Sequence, residues 1–284
     1  MSTNKKKTGL VLEGGGMRGI YTAGVLDVFL EEGIHFDGVI GVSAGAIHGC
    51  SYVAEQRGRN LRYYKKYCND KRFMSFYNLV RYGDIAGEEF CYHELPEKLD
   101  PFDYETFEKS DTEFYVTCSN LETGKAEYIK LNDVKEDIDL LRASASLPYV
   151  SRTVEANGMK LLDGGCTDSI PLRAFLEMGF LKSVVVLTRD EHYEKTAENP
   201  YLPKIFYRKY PKFIKALRER HIRYNKTRAS IEKLSKAGKI FVIRPSVELD
   251  IGRMEKDPEE LQRIYDIGVQ DARASLEELK QWLA

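Results

Sequence analysis

Two short apolar runs, each passing straight into glycines and then into hydrophobic residues at helical spacing, set the plan of the chain. The first runs from Gly9 to Glu13 and enters Gly14-Gly15-Gly16-Met17-Arg18-Gly19, after which Ile20, Ala23, Leu26 and Leu30 mark one face of a helix. Gly33 stops that helix, and Gly38 to Val42 forms the second run, which enters Gly41-Val42-Ser43-Ala44-Gly45 and a second helical pattern. Strand, glycine turn, helix, strand, serine elbow, helix is a βαβα order. It requires a right-handed crossover and a parallel sheet, so the predicted fold class is α/β.

Further along, residues 60 to 110 are irregular and rich in aromatics, among them Tyr63, Tyr64, Tyr67, Phe73, Phe76, Tyr77, Phe90, Tyr92, Phe102 and Phe107. Large rings dominate burial, so plain core is the first reading of this segment, with the roof of a hydrophobic cleft as the second. Glu113 to Ser119 and Glu127 to Leu131 read as paired strands across Leu121-Glu122-Thr123-Gly124. A small-residue stretch, Ala143-Ser144-Ala145-Ser146-Leu147-Pro148, precedes the strand Lys160 to Leu162 and the turn Asp163-Gly164-Gly165. Asp168-Ser169-Ile170-Pro171 reads as a helix entry and Ser183 to Thr188 as a buried strand.

Between Lys204 and Lys239 eight Lys and five Arg face only Glu219 and Glu232, with Tyr207, Tyr210, Ile214, Leu217, His221 and Tyr224 at helical spacing. The stretch 204–239 therefore reads as one basic amphipathic helix, either docked with a solvated face or in peripheral contact with anionic lipid headgroups. Lys239 to Ile243 reads as a strand. Asp257-Pro258-Glu259-Glu260 starts a last amphipathic helix carrying Leu261, Ile264, Gly268, Ala272, Leu276 and Leu279. The expected organisation is a catalytic unit over residues 8–190 and a C-terminal extension over 191–284 packed on the same domain.

Composition narrows this picture more than it adds to it. Across 284 residues Lys and Arg number 43 against 44 Asp and Glu, a balance that favours neither nucleic acid nor an acidic tail. The basic start Met1-Ser2-Thr3-Asn4-Lys5-Lys6-Lys7-Thr8 is followed by an apolar run broken at Glu13-Gly14, too early for a signal peptide, and no run reaches about eighteen apolar residues. Five scattered cysteines without a C-x-x-C pair argue against a disulfide framework or a zinc site. The expectation is a cytoplasmic protein without metal or cofactor, and oligomeric state is not legible.

Ser43 on a strand-to-helix elbow has the setting of a nucleophile, with Gly41 and Gly45 where a Cβ would collide. A hydroxyl needs a positioned base to attack a carbonyl, and the tetrahedral oxyanion needs preorganised donors. The Gly14-Gly15-Gly16 turn before a helix supplies such donors, and it leaves the sheet at the same edge as Ser43. Arg18 can hold a substrate anion or tie down the loop. For the base, His35, His48, His93, His192 and His221 all lack a catalytic-loop context, and His48 should point away from the serine. Asp163, at a strand end before two glycines, is better placed, although by itself Asp163-Gly164-Gly165 reads as an ordinary turn.

Taken in order, Glu13-Gly14-Gly15-Gly16-Met17-Arg18-Gly19, Gly41-Val42-Ser43-Ala44-Gly45 and Asp163-Gly164-Gly165 resemble the signature blocks of the patatin-like phospholipase family, and the segment ending in Leu147-Pro148 resembles its loop ahead of the aspartate. The resemblance covers residues 8 to about 190 and departs at Glu13, where the family commonly has Asp. It implies a three-layer α/β/α fold with a mainly parallel sheet. It also implies a serine acyl hydrolase acting on acyl-ester bonds of lipids through a Ser-Asp dyad, with Ser43 as nucleophile, Asp163 as base and the glycine-turn amides, Gly15 and Gly16 foremost, as oxyanion hole.

Three other readings remain at this stage. Gly14, Gly16 and Gly19 also fit the dinucleotide fingerprint, but Ser43 occupies the place of the ribose-binding acid and Asp37 precedes the strand. A Ser-His-Asp α/β-hydrolase shares the elbow, yet its nucleophile usually follows several strands. A non-catalytic acyl- or lipid-binding scaffold is the third.

Overall fold

The computed structural model describes residues 6–252 and 254–284; the basic start, Met1 to Lys5, lies outside the described residues. Among the described residues eight strands form one mixed sheet. In chain order these are β1 (Thr8–Leu12), β2 (Gly38–Val42), β3 (Glu113–Asn120), β4 (Ala126–Leu131), β5 (Val154–Ala156), β6 (Met159–Asp163), β7 (Lys182–Val186) and β8 (Ile240–Ile243). β3, β2, β1, β7 and β8 run parallel in that order, while β4, β6 and β5 add antiparallel pairings beyond β3.

The central strands are apolar on both faces because helices cover both faces. Leu10, Leu12, Val39, Val184 and Val186 belong to one buried cluster, and Val11, Ile40, Val185 and Leu187 to the other. The first face carries α1 (Gly19–Glu31), α2 (Ala44–Val53) and α3 (Arg59–Tyr67), then, past the short and largely exposed α4 (Phe76–Tyr82), α5 (Tyr104–Lys109) and α6 (Ile138–Ser144). Under the second lies α7 (Leu172–Glu177). The result is the three-layer α/β/α arrangement expected. Between α4 and α5, Phe90–Leu99 winds as a π-helical stretch with Pro96 inside it.

Past residue 190 the chain differs from its reading. The stretch 204–239 is not one helix but three, α8 (Leu202–Phe206), α9 (Pro211–Arg218) and α10 (Arg220–Lys236). Pro211 cannot donate an amide and keeps Tyr210 out of helical geometry, with φ −122° and ψ 70°, so the helix must restart there. The last amphipathic pattern is likewise divided, into α11 (Pro258–Ala274) and α12 (Leu276–Leu283), at Ser275, whose hydroxyl turns back onto the Asp271 and Ala272 carbonyls. Leu261, Ile264, Gly268, Ala272 and Leu279 nonetheless face inward as the spacing required.

These C-terminal elements join the same body. β8 extends the sheet beside β7, and α11 crosses α1 so closely that a Cβ on Gly268 would lie 2.1 Å from the Tyr21 carbonyl oxygen. Only hydrogen fits at such a crossing. Asp257 caps α11 by accepting from the Glu259 amide, and Pro258 takes the first helical position.

Candidate active site

Register brings Ser43 to Asp163. β2 pairs with one edge of β3 up to Val42, opposite Thr117, and β6 takes over the same edge with Asp163 opposite Cys118. The two strands run toward each other, so residue 43 leaves one as residue 163 ends the other. Ser144 bridges the junction: its hydroxyl donates to the Thr117 carbonyl at 2.7 Å and accepts from the Ser43 amide at 3.0 Å. Gly164 is needed for the approach, since a Cβ there would stand 2.2 Å from the Thr117 oxygen.

At the elbow itself Ser43 has φ 55° and ψ −125°, a left-handed conformation that costs a serine roughly 1–3 kcal/mol. It is held because the surroundings leave no alternative. A Cβ on Gly45 would come within 2.6 Å of the Leu12 carbonyl oxygen, so α2 starts hard against the end of β1.

The Asp163 carboxyl is almost fully buried. Its Oδ1 accepts from the Gly165 amide at 2.7 Å. Its Oδ2 has no completed hydrogen bond, although the Ser43 hydroxyl is the nearby donor that favours the charged form. Burial raises the Asp163 pKa above the ordinary carboxylate value, and Ser43, the Gly165 amide and Arg220 only partly offset it.

The glycine turn lies beside this pair. A Cβ on Gly14 would be 3.3 Å from the Ser43 Cβ, and Gly16 takes φ 56°. The Gly14 amide is occupied by the Ser169 carbonyl at 3.3 Å, so of the three amides expected as oxyanion donors Gly14 is spent. Among the described residues the Gly15 and Gly16 amides have no acceptor. Glu13 anchors the turn from beneath: the Thr188 amide and the Tyr224 hydroxyl each donate to it at 2.6 Å.

Ser43, Gly16 and Met17 open into a cleft of about 1030 Å³, its mouth included. Its walls are apolar and aromatic, with Tyr63, Tyr64, Phe73, Tyr92, Phe102 and Leu147 among them. The aromatic segment thus serves both purposes weighed from its composition, since Tyr63, Tyr64, Phe73 and Phe102 are buried core and cleft lining together. No histidine lines the cleft. His48 is fully buried behind the glycine turn, and burial brings its pKa down to about 4, so it is neutral at physiological pH. Arg18 does not line the cleft either; burial and then Arg189 lower its pKa.

Two contributors escaped the sequence reading. Ser144 sat in the small-residue segment already singled out. Arg220 was hidden in the basic run, where nothing separates it from its neighbours; its Nε donates to the Gly165 carbonyl at 2.5 Å and its Nη1 pairs with Glu198 at 2.9 Å. Arg223 similarly donates to the Thr167 and Cys166 carbonyls. Arg220 and Arg223 of α10 therefore brace the aspartate turn, while Arg228 donates to the Asp190 and Glu191 carbonyls. Among the described residues no cluster of His, Cys, Asp or Glu could hold a metal ion, and no helix is long and apolar enough to cross a membrane.

A strained serine elbow beside a glycine turn, on a sheet covered by helices on both faces, defines an α/β protein of the serine-elbow kind. Residues 10–176 match the model of the patatin-like phospholipase family, and the chain belongs to that family. Residues 210–284 match a domain of unknown function, DUF6363. The uncharacterized protein YjjU of Escherichia coli is 31% identical over 184 residues, 63% of this chain and 51% of that protein. The lysophospholipase nte1 of Emericella nidulans is 30% identical over 184 residues, 61% of this chain and 11% of that enzyme. The chain thus matches about half of the bacterial relative and a tenth of the fungal one. The crystal structure of VipD from Legionella pneumophila aligns over 96% of this chain and 67% of that chain, with a TM-score of 0.49 and 15% identity.

Proposed function

We propose that the protein is a serine acyl hydrolase that cleaves acyl-ester bonds of lipids, with Ser43 as nucleophile and Asp163 as base. The observation that carries this reading is the unsatisfied, desolvated Oδ2 of Asp163 beside the hydroxyl of Ser43 at one end of an apolar cleft. As Ser43 Oγ attacks the ester carbonyl, its proton passes to Asp163 Oδ2. The oxyanion is met by the Gly15 and Gly16 amides. Collapse of the intermediate returns the proton to the leaving alkoxide, and water repeats the sequence on the acyl-enzyme. Raised proton affinity makes Asp163 a better base than a hydrated carboxylate of pKa about 3.9.

Family membership supports a lipid substrate, and the cleft's aromatic lining suits an acyl chain. Contact with a lipid surface, first read into 204–239 as a whole, falls in this proposal to α8 and α4, which expose Ile205, Phe206, Phe76 and Val80. A cytoplasmic location is kept as part of the proposal. The test is a chain-length series of p-nitrophenyl esters beside a phospholipid panel, together with fluorophosphonate labelling. Loss of hydrolysis and labelling in Ser43→Ala is expected; undiminished hydrolysis in that variant refutes the reading.

A further inference from the structure

Two cavities meet at Tyr92. The apolar cleft that holds Ser43 and a smaller recess of about 250 Å³, mouth included, share Ala86, Tyr92 and Ala145 as a common wall. The rest of the recess is polar, lined by Asp84, Glu88, Arg142, Ser146 and Ser151. Its charges are paired with one another: Arg142 meets Glu88 at 3.1 Å, and Arg152 meets Asp84 at 2.6 Å and Glu88 at 2.7 Å. An apolar cleft beside a polar, charge-balanced recess suits the two halves of an ester, an acyl chain and an alcohol bearing uncharged hydroxyls.

The shared wall is also the segment that ties Ser43 to Asp163. The Ser144 hydroxyl accepts from the Ser43 amide at 3.0 Å and the Ser146 carbonyl from the Asp163 amide at 2.8 Å, with Ala145 between them. Tyr92 reaches this wall from the π-helical stretch Phe90–Leu99. Pro96 has no amide to give the Tyr92 carbonyl four residues back, and the wider turn makes room for its ring. Phenols set into a fold usually find an acceptor, as Tyr52 does at the Ile34 carbonyl, Tyr128 at Asp168 and Tyr224 at Glu13. Among the described residues the Tyr92 hydroxyl has no hydrogen-bond partner. Burial foremost, with Asp163 among the charges that add to it, pushes the Tyr92 pKa up, so at neutral pH the phenol keeps its proton and is a donor.

We propose that the Tyr92 hydroxyl donates a hydrogen bond to the leaving oxygen of the ester as the alcohol departs into the recess. The role rests on the acyl-hydrolase reading. When the tetrahedral intermediate collapses, the bond between the carbonyl carbon and the alkoxy oxygen breaks and its electron pair stays on that oxygen. The proton taken from Ser43 then reaches the oxygen from Asp163. Tyr92 gives up no proton of its own; its hydrogen bond spreads the developing charge until that proton arrives. A p-nitrophenolate leaves without such help, whereas an alkoxide does not.

Tyr92→Phe keeps the ring and breaks no bond within the protein, so its melting temperature is expected to match wild type. For wild type, Tyr92→Phe and Ser43→Ala, kcat/KM is measured on the p-nitrophenyl, phenyl and glyceryl esters of one acyl chain. Tyr92→Phe should lose at least about tenfold on the glyceryl ester, less on the phenyl ester, and stay within about twofold on the p-nitrophenyl ester. A role in packing alone would lower all three equally. An equal loss, or none, with Ser43→Ala inactive, overturns the role of Tyr92 and leaves the acyl-hydrolase reading standing. Hydrolysis that persists in Ser43→Ala, or none of the three esters cleaved by wild type, removes both.

Discussion

Ser43 and Asp163 meet end to end along one edge of β3, because β2 leaves that edge at Thr117 and β6, running the other way, ends on it at Cys118. Their separation is thus set by sheet register, which is far stiffer than a loop. Substituting Asp163 separates chemistry from stability. Its pKa is raised in the folded protein, so the stability linked to its protonation is complete below the unfolded pKa and is lost as pH rises through the folded one. At neutral pH the charged group is therefore a liability. Asp163→Asn is expected to lower kcat/KM by about 10³-fold while raising the melting temperature by about 2–4 °C at pH 7. That gain should shrink as pH falls toward the carboxylate range. Calorimetry at several pH values measures it, and a lower melting temperature at pH 7 would count against the desolvated carboxylate.

The register itself can be attacked through Gly164. A Cβ there would meet the Thr117 backbone oxygen at 2.2 Å, a contact that only a shift of β6 relieves. Gly164→Ala should cost about 1–3 kcal/mol in urea unfolding and abolish hydrolysis even in the folded fraction. Gly158→Ala is the control: it lies at a positive φ with no atom in the way, and is expected to cost stability through backbone strain without loss of activity.

His48 supplies a pH signature of opposite sign. Its pKa falls from 6.5 to about 4 on folding, so its contribution is present above the unfolded value and lost as pH drops through the folded one. Wild type should lose up to about 3 kcal/mol between these limits that a His48→Gln variant keeps. Hydrolysis by the folded variant should stay within about twofold, because no histidine lines the cleft. A kcat/KM profile controlled by a group titrating near 6.5, and lost in His48→Gln, would return the base to histidine.

What the sequence made readable was local. The strand-glycine-helix units, the elbow and the inward positions of α11 follow from spacing over a few residues, and each is where the pattern put it. The breaks at Tyr210 and Ser275 were harder to see. Tyr210 yields to Pro211, and at Ser275 a hydroxyl competes for carbonyls, so in both places one residue overrides an intact periodicity. The join of β2 and β6 on one edge of β3 depends on pairing over more than a hundred residues, which periodicity does not encode. Arg220 was illegible for the same reason: its meaning lies in the Gly165 carbonyl, not in its neighbours in the chain.

Arg220 can be tested as a positioning residue. Its Nε holds the Gly165 carbonyl, and its charge is one of the influences that hold the Asp163 pKa down against burial. Arg220→Gln should lower kcat about tenfold, with KM for a short-chain ester little changed, since no atom of Arg220 lines the cleft. It should also move the acid limb of the kcat/KM profile to higher pH, because removing a nearby cation lets Asp163 keep its proton longer. Arg220→Lys retains the charge and loses the directed bond, so the limb should stay near its wild-type position while kcat still falls. A purely structural role would lower the amount of folded enzyme and leave the limb of what remains unmoved, and that result would reduce Arg220 to a brace for the turn.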